Sequence, residues 1–204
     1  MRSLSLKGKT CKKRRPYSSY RGEVGRIAGN RLGRKFDAEG PDRKFVTDVT
    51  EFKLPEGKLY LSQVRDLYSR EIVGYSISPR PDFLQIRNRM DSAFGGREGK
   101  VKRALFHSDQ GWQYQRKEFG ENLEGYGRIQ SMSWKGNCHD NSVMENFFGR
   151  LKVERYYGEE DRYPDYGSLK KAIVEYIGWY NSSRLKEYLH WKSPQEALSD
   201  SGTL

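Results

Sequence analysis

KFVTDVTEFKLPEGKLYLSQVRDLYSREIVGYSIS, residues 44–78, decides the fold. It holds three short runs rich in β-branched and aromatic residues: Lys44 to Phe52, Lys58 to Asp66 and Glu71 to Ser78. Leu-Pro-Glu-Gly (54–57) separates the first two and Leu-Tyr-Ser-Arg (67–70) the next two, short connections of the kind that join consecutive antiparallel strands. The stretch is therefore expected to form a three-stranded meander. Downstream, residues 82–94 read as a helix, 101–108 as a strand, 114–125 as a helix and 128–133 as a short strand. A loop crowded with turn formers, WKGNCHDN (134–141), precedes a helix from about Ser142 to Glu154 and another from about Ser168 to Asn181. This order predicts an α/β domain with a mixed sheet and helices on its faces, not a doubly wound parallel sheet.

Upstream of the meander the composition changes. Residues 1–44 carry 14 Lys and Arg against 4 Asp and Glu, a net of +10 out of +11 for all 204 residues, so the remainder is almost neutral. The first 43 residues are read as a basic, extended arm, residues 44–165 as the core, and 166–204 as a C-terminal helix and tail packed on it. Lys12, Lys13, Arg14 and Arg15 concentrate the arm's charge and point to a polyanion such as nucleic acid as partner, because phosphate neutralisation releases counterions whatever the base sequence, with a solvated tail that has no partner as the alternative. No apolar run reaches the length of a membrane span, and no signal-peptide core follows the basic start, so a soluble, unexported, cytoplasmic protein with no membrane partner is expected. Cys11, Cys138 and three histidines show no zinc-module spacing.

Three acids stand out by context: Asp48 in the middle of the first strand, Asp109 just past the fourth, and Glu145 in the first turn of the helix after the loop. A carboxylate inside a buried strand is costly without a positive partner. Three carboxylates meeting at a sheet edge would offer an all-oxygen site suited to Mg²⁺ or Mn²⁺, and two such ions can serve an in-line phosphoryl displacement. Structural readings stay open at this point. Asp48 could pair with a Lys or Arg, Asp109 could start a turn, and Ser142-Val143-Met144-Glu145 has the form of a capping box. Asp66 and Asp140 read as strand-end and turn residues. On the helix, Val143, Phe147 and Leu151 make the apolar face, whereas Glu145, Gly149 and Lys152 share another. A mid-helix glycine there suggests a surface kept open for a DNA backbone, with close helix packing as the alternative. Tyr176, Trp179, Tyr180, Tyr188 and Trp191 are expected to pack the last helix onto the domain rather than to stack bases.

These residues together resemble the catalytic subunit of bacterial insertion-sequence transposases with a retroviral-integrase-like DDE core. Phe45 to Thr50 resembles the segment around that family's first Asp, and His107-Ser108-Asp109-Gln110-Gly111 the segment around its second. Ser131 to Ser133, Lys135 to Cys138 and Asp140 to Glu145 resemble the approach to its Glu, and Lys152 stands at its basic position seven residues on. Tyr180-Asn181, Arg184, Leu189 and Ser193-Pro194 resemble its terminal signature, with Lys186 near a position where many relatives have His and Trp134 where a basic residue is common. The resemblance implies a ribonuclease H-like mixed five-stranded sheet. It also implies DNA cleavage at transposon ends and strand transfer into a target, with Asp48, Asp109 and Glu145 holding Mg²⁺, or Mn²⁺ as substitute, as two ions. Lys135, Asn137 and Lys152 would contact DNA, on which the protein would act as a nucleoid-associated homo-oligomer. The start of the chain resembles the end of an upstream helical region, so a helix-turn-helix would come from an upstream-frame partner or fusion. A catalytically silent or N-terminally truncated DNA-binding remnant is the alternative from another class, and a ribonuclease or resolvase the enzymatic one. The loop 134–141 is expected to order on DNA.

Overall fold

The computed structural model of the chain describes residues 25–95, 103–134 and 142–200. Its elements are β1 (Lys44–Leu54), β2 (Gly57–Asp66), β3 (Ile72–Ser78), α1 (Phe83–Phe94), β4 (Ala104–Ser108), α2 (Lys117–Gly125), β5 (Arg128–Met132), α3 (Ser142–Arg155), α4 (Tyr166–Ser182) and α5 (Pro194–Ser199), with short 3-10 turns at 112–114, 160–162 and 187–189. The meander is present, and the sheet runs β3-β2-β1-β4-β5. β1 pairs antiparallel with β2, and β2 with β3, while β1–β4 and β4–β5 are parallel. The helix expected over 114–125 starts later. Residues 112–114 form a 3-10 turn that buries Tyr114, and α2 follows from Lys117.

Strand alternation divides the core in two. Phe45, Val64 and Phe106 face α1 and α2, where Ile86, Met90, Phe94, Phe119 and Leu123 complete one cluster. Val46, Phe52, Leu59 and Leu61 face the other way, onto Met144, Phe147 and Leu151 of α3 and Ile173, Tyr176 and Tyr180 of α4. Two glycines are required by close approach. A Cβ on Gly74 of β3 would lie 2.5 Å from the Ala93 backbone of α1. Gly57, at φ +138°, would bring one to 2.6 Å from the Tyr166 hydroxyl. Asp66, read as a strand-end acid, organises the β2–β3 turn by accepting from the Tyr68 and Ser69 amides at 3.0 and 2.8 Å and from the Ser69 hydroxyl at 3.0 Å.

Residues 25–43 are irregular, yet their first half is seated on the body. The Gly25 amide donates to Gln115 Oε1 at 2.8 Å, those of Arg31 and Leu32 donate to Ser131 Oγ at 2.9 and 3.2 Å, and Leu32 is buried in the α3–α4 cluster. At the other end, Asn181 of α4 holds the start of β3 as a strand would, accepting from Ile72 N at 2.9 Å and donating to Ile72 O at 3.0 Å. α5, a helix not expected from the sequence, begins at a capping box of Ser193 and Glu196 with Pro194 in its first turn.

Candidate functional site

Val46 of β1 stands beside His107 of β4 in the parallel ladder. Two residues further along each chain, on the same face and past the same end of β4, come Asp48 and Asp109. This face is the one that α3 covers, and Glu145 lies in the first turn of that helix. Asp48 is half-buried, but protein surrounds its carboxyl closely enough to push its pKa well above the usual aspartate range. Burial is the largest cause, and the charges of Asp109 and then Glu145 add to it, while a bond from the Val49 amide and the charge of Arg89 act against it. Burial also raises Asp109, opposed by the Gly111 amide. Asp109 and Glu145, from two other elements, thus both lie within electrostatic reach of Asp48.

As they stand, the carboxylates are engaged locally: Asp48 Oδ1 accepts from Val49 N at 2.7 Å and Asp109 Oδ1 from Gly111 N at 2.9 Å. Among the described residues no three His, Cys, Asp or Glu side chains form a closed cation cluster. The donor set fits a hard divalent cation by its chemistry, since it is all oxygen and anionic. Ser142 opens α3, but the residue before it and the Ser142 side chain lie outside what is described, and the capping-box reading of Ser142 and Glu145 with them.

Lys152 is folded inward. Its ammonium donates to the Glu51 carbonyl at 2.7 Å and lies 5.1 Å from the Phe52 ring centroid. Burial lowers its pKa, and Glu51 and Asp48 pull it back up. Among the described residues a Cβ on Gly149 would meet nothing within 4 Å, so close packing against them does not explain that glycine, and they leave the flank beside Glu145 open. Lys135, Asn137, Lys12, Lys13, Arg14 and Arg15 lie outside the described residues, as does the loop 135–141.

Of four buried arginines among the described residues, two bear on the site and escaped the sequence reading. Arg89 of α1 is fully buried on the opposite face of the sheet, where it donates to Ser62 Oγ at 2.6 Å and Tyr114 Oη at 3.2 Å; like Lys152, it is a cation in electrostatic reach of Asp48. Arg65 of β2 donates to the Arg70 carbonyl at 3.0 Å, to the Val143 carbonyl at 3.1 Å and to the Tyr180 hydroxyl. It therefore ties the first turn of α3, and Glu145 two residues on, to the sheet and to α4. The period-two pattern Leu59, Leu61, Gln63, Arg65 on one face of β2 was the signal that could have exposed Arg65. The C-terminal aromatics divide: Tyr176 and Tyr180 are buried, whereas Trp179, Tyr188 and Trp191 are 41%, 54% and 67% exposed.

The chain matches the integrase core domain family over residues 38–138 and a second integrase core domain family over 145–196. An uncharacterized transposase-like protein of Haemophilus influenzae is 50% identical over 194 residues, covering 95% of this chain and 87% of that protein. InsK of Escherichia coli, named as a transposase for insertion sequence element IS150, is 46% identical over 196 residues, covering 96% of this chain and 68% of InsK. Among solved structures, the HTLV-2 integrase catalytic core domain in complex with magnesium aligns with a TM-score of 0.60 at 18% identity, covering 78% of this chain and 98% of that one. A chain of the simian T-cell lymphotropic virus intasome aligns at 0.65 and 16% identity, covering 89% of this chain and 60% of that one. These likenesses show the fold, a ribonuclease H-like mixed sheet flanked by helices. No helix of the described residues is long and apolar enough to cross a membrane. With close relatives matched along nearly its whole length and integrase-core matches over the segments that carry all three acids, the chain belongs to the insertion-sequence transposase family.

Proposed function

We propose that this chain catalyses metal-dependent DNA transposition, cutting at transposon ends and joining the liberated 3′-hydroxyl to target DNA, with Asp48, Asp109 and Glu145 as the ligands of one or two Mg²⁺ ions. The observation that carries the reading is that Asp109 from the end of β4 and Glu145 from α3 both lie within electrostatic reach of Asp48 on β1. When bound, Mg²⁺ would supply activation of the attacking oxygen and stabilisation of the leaving one. The chain's own part is placement. The Gly111 amide fixes one oxygen of Asp109, the Val49 amide fixes one oxygen of Asp48, and Arg65 holds the α3 turn that carries Glu145. Open space at Gly149 leaves room for a duplex beside the acids. The basic run Lys12 to Arg15, together with Lys135 and Asn137, would add phosphate contacts. Water serves as the first nucleophile and the 3′-hydroxyl as the second, with no covalent protein intermediate. The partner is DNA, held by a homo-oligomer.

The test is strand cleavage of a labelled duplex carrying the element's terminal repeat, with Mg²⁺ or Mn²⁺ and with EDTA. The wild type should cut only with metal, and Asp48→Asn, Asp109→Asn and Glu145→Gln should each lose about 10²-fold or more while melting normally. Because Gln also serves in a capping box, Glu145→Gln retaining full cleavage would overturn the assignment of Glu145.

A further inference from the structure

The side of α3 that faces the end of α4 gathers positive charge around very little negative charge. Lys186 follows α4 on a chain segment pinned by its own backbone: its amide donates to the Lys192 carbonyl at 3.1 Å, and its carbonyl accepts from the Leu189 and Trp191 amides at 3.0 and 2.9 Å. His190 and Trp191 adopt left-handed backbone, φ 54° and 62°, in closing that turn, a conformation that costs energy for side chains of their size. The half-buried Lys186 ammonium sits 4.4 Å from the Tyr180 ring centroid and has no carboxylate or carbonyl acceptor among the described residues. Arg65, Arg184 and Arg150 lie close enough for their charges to act on it; together with burial they push its pKa down to about 7. Glu154, an acid whose charge acts on Lys186, is committed: it accepts from both terminal nitrogens of Arg184 and from the Tyr176 hydroxyl. An exposed Arg150 completes the group from the surface of α3.

A lysine half-buried among three guanidiniums is destabilising unless an anion joins them. We propose that Lys186 and Arg150, backed by Arg184, form a phosphate site that seats the sugar-phosphate backbone of duplex DNA. Arg150 lies five residues beyond Glu145, about 140° around α3 and roughly 7.5 Å along its axis. The site therefore lies on the other flank of the helix from the three acids and grips DNA away from the bond being cut. It rests on the reading of the chain as a DNA transposase, and it adds a contact that orients the duplex across α3.

The experiment measures affinity for duplex DNA against KCl concentration for the full chain and for Lys186→Met, Arg150→Gln, the double variant and Lys186→Arg. Each neutralised contact should flatten the slope of log affinity on log salt by about 0.9, the double variant by about 1.8, and Lys186→Arg should keep the wild-type slope. Lys186→Met should melt no lower than wild type, because it keeps the stem against Tyr180 and removes the cost of a buried charge. A purely packing lysine gives the opposite pattern, a lower melting temperature with an unchanged slope, and that result overturns the proposal. Should Lys186→Met fail to fold, the exposed Arg150→Gln decides alone, with an unchanged slope counting against the site. Displacement of the Lys186 side-chain resonance by inorganic phosphate but not by DNA would mean a small-anion site and also overturn it. Glu145→Gln separates the two readings, because it should lose cleavage and keep the full salt slope. A wild-type chain that bound no duplex would overturn both.

Discussion

Replacing Arg65 by Met tests whether the sheet holds Glu145 in place through one side chain. The guanidinium donates to the Arg70 carbonyl, the Val143 carbonyl and the Tyr180 hydroxyl, and its face lies 5.9 and 5.5 Å from the Phe147 and Tyr180 ring centroids. Methionine keeps much of the stem volume and none of the donors. The Arg70 carbonyl and the Tyr180 hydroxyl then lose a buried partner, at about 1–3 kcal/mol each. Removing a buried cation, whose pKa burial lowers, returns part of that cost. The balance is a loss of about 2–4 kcal/mol, or roughly 4–16 °C in Tm for a chain of this size. Val143 is two residues before Glu145, so loosening it should also slow metal-dependent cleavage by about 10²-fold, the cost typical of a misplacement near 1 Å. Urea unfolding followed by tryptophan fluorescence gives the first number, and cleavage at a temperature where the variant stays folded gives the second. A variant within about 0.5 kcal/mol of wild type with full activity would refute the pinning argument.

Three further predictions concern separate parts of the molecule. Gly149→Ala should stabilise the metal-free, DNA-free protein by about 0.5–1 kcal/mol, since its Cβ meets nothing, while Gly149→Leu should keep stability and weaken duplex binding about tenfold; equal binding by Leu would remove the case for an open DNA flank. Asn181→Ala strips both bonds from Ile72 at the start of β3 and should cost about 2–4 kcal/mol in urea unfolding, against a contradicting loss below about 1 kcal/mol. Lys186 is faced by Arg65 of β2, by Arg150 and Glu154 of α3, and by Tyr180 and Arg184 at the end of α4. Its pKa of about 7 means that it sheds its proton as pH rises through neutrality. Duplex affinity should therefore fall between pH 6 and 8, and Lys186→Arg, charged throughout, should abolish that dependence; parallel pH profiles would contradict it.

The meander and the three acids were legible because both are written locally: alternating Val, Phe and Leu residues make the strands, and an Asp in mid-strand breaks their pattern. The parallel pairing that brings Asp109 beside Asp48 depends on where β4 inserts, which no local pattern states. Lys152 is expected from the sequence to contact DNA from the helix face of Glu145 and Gly149, and no local pattern states that α3 lies so close to β1 that its ammonium reaches the Glu51 carbonyl. Arg65 and Arg89 pass unnoticed in the sequence, since arginine is usually exposed, and only the tertiary fold supplies the carbonyls and hydroxyls that make their burial tolerable. The short helix α5 was within reach, since Ser193-Pro194-Gln195-Glu196 carries both a capping box and Pro in the first turn. The arm was drawn from charge alone, and charge does not reveal that Leu32 finds a place in the core.

The central claim is that Asp48, Asp109 and Glu145 share divalent metal. Anomalous diffraction from crystals of the chain grown with Mn²⁺ tests it most directly. One or two manganese peaks in contact with carboxylate oxygens of all three acids are predicted, with the same peaks lost in Asp48→Asn crystals. Manganese bound elsewhere, or any one of the three carboxyl groups more than about 8 Å from the other two with the ion present, would contradict the account.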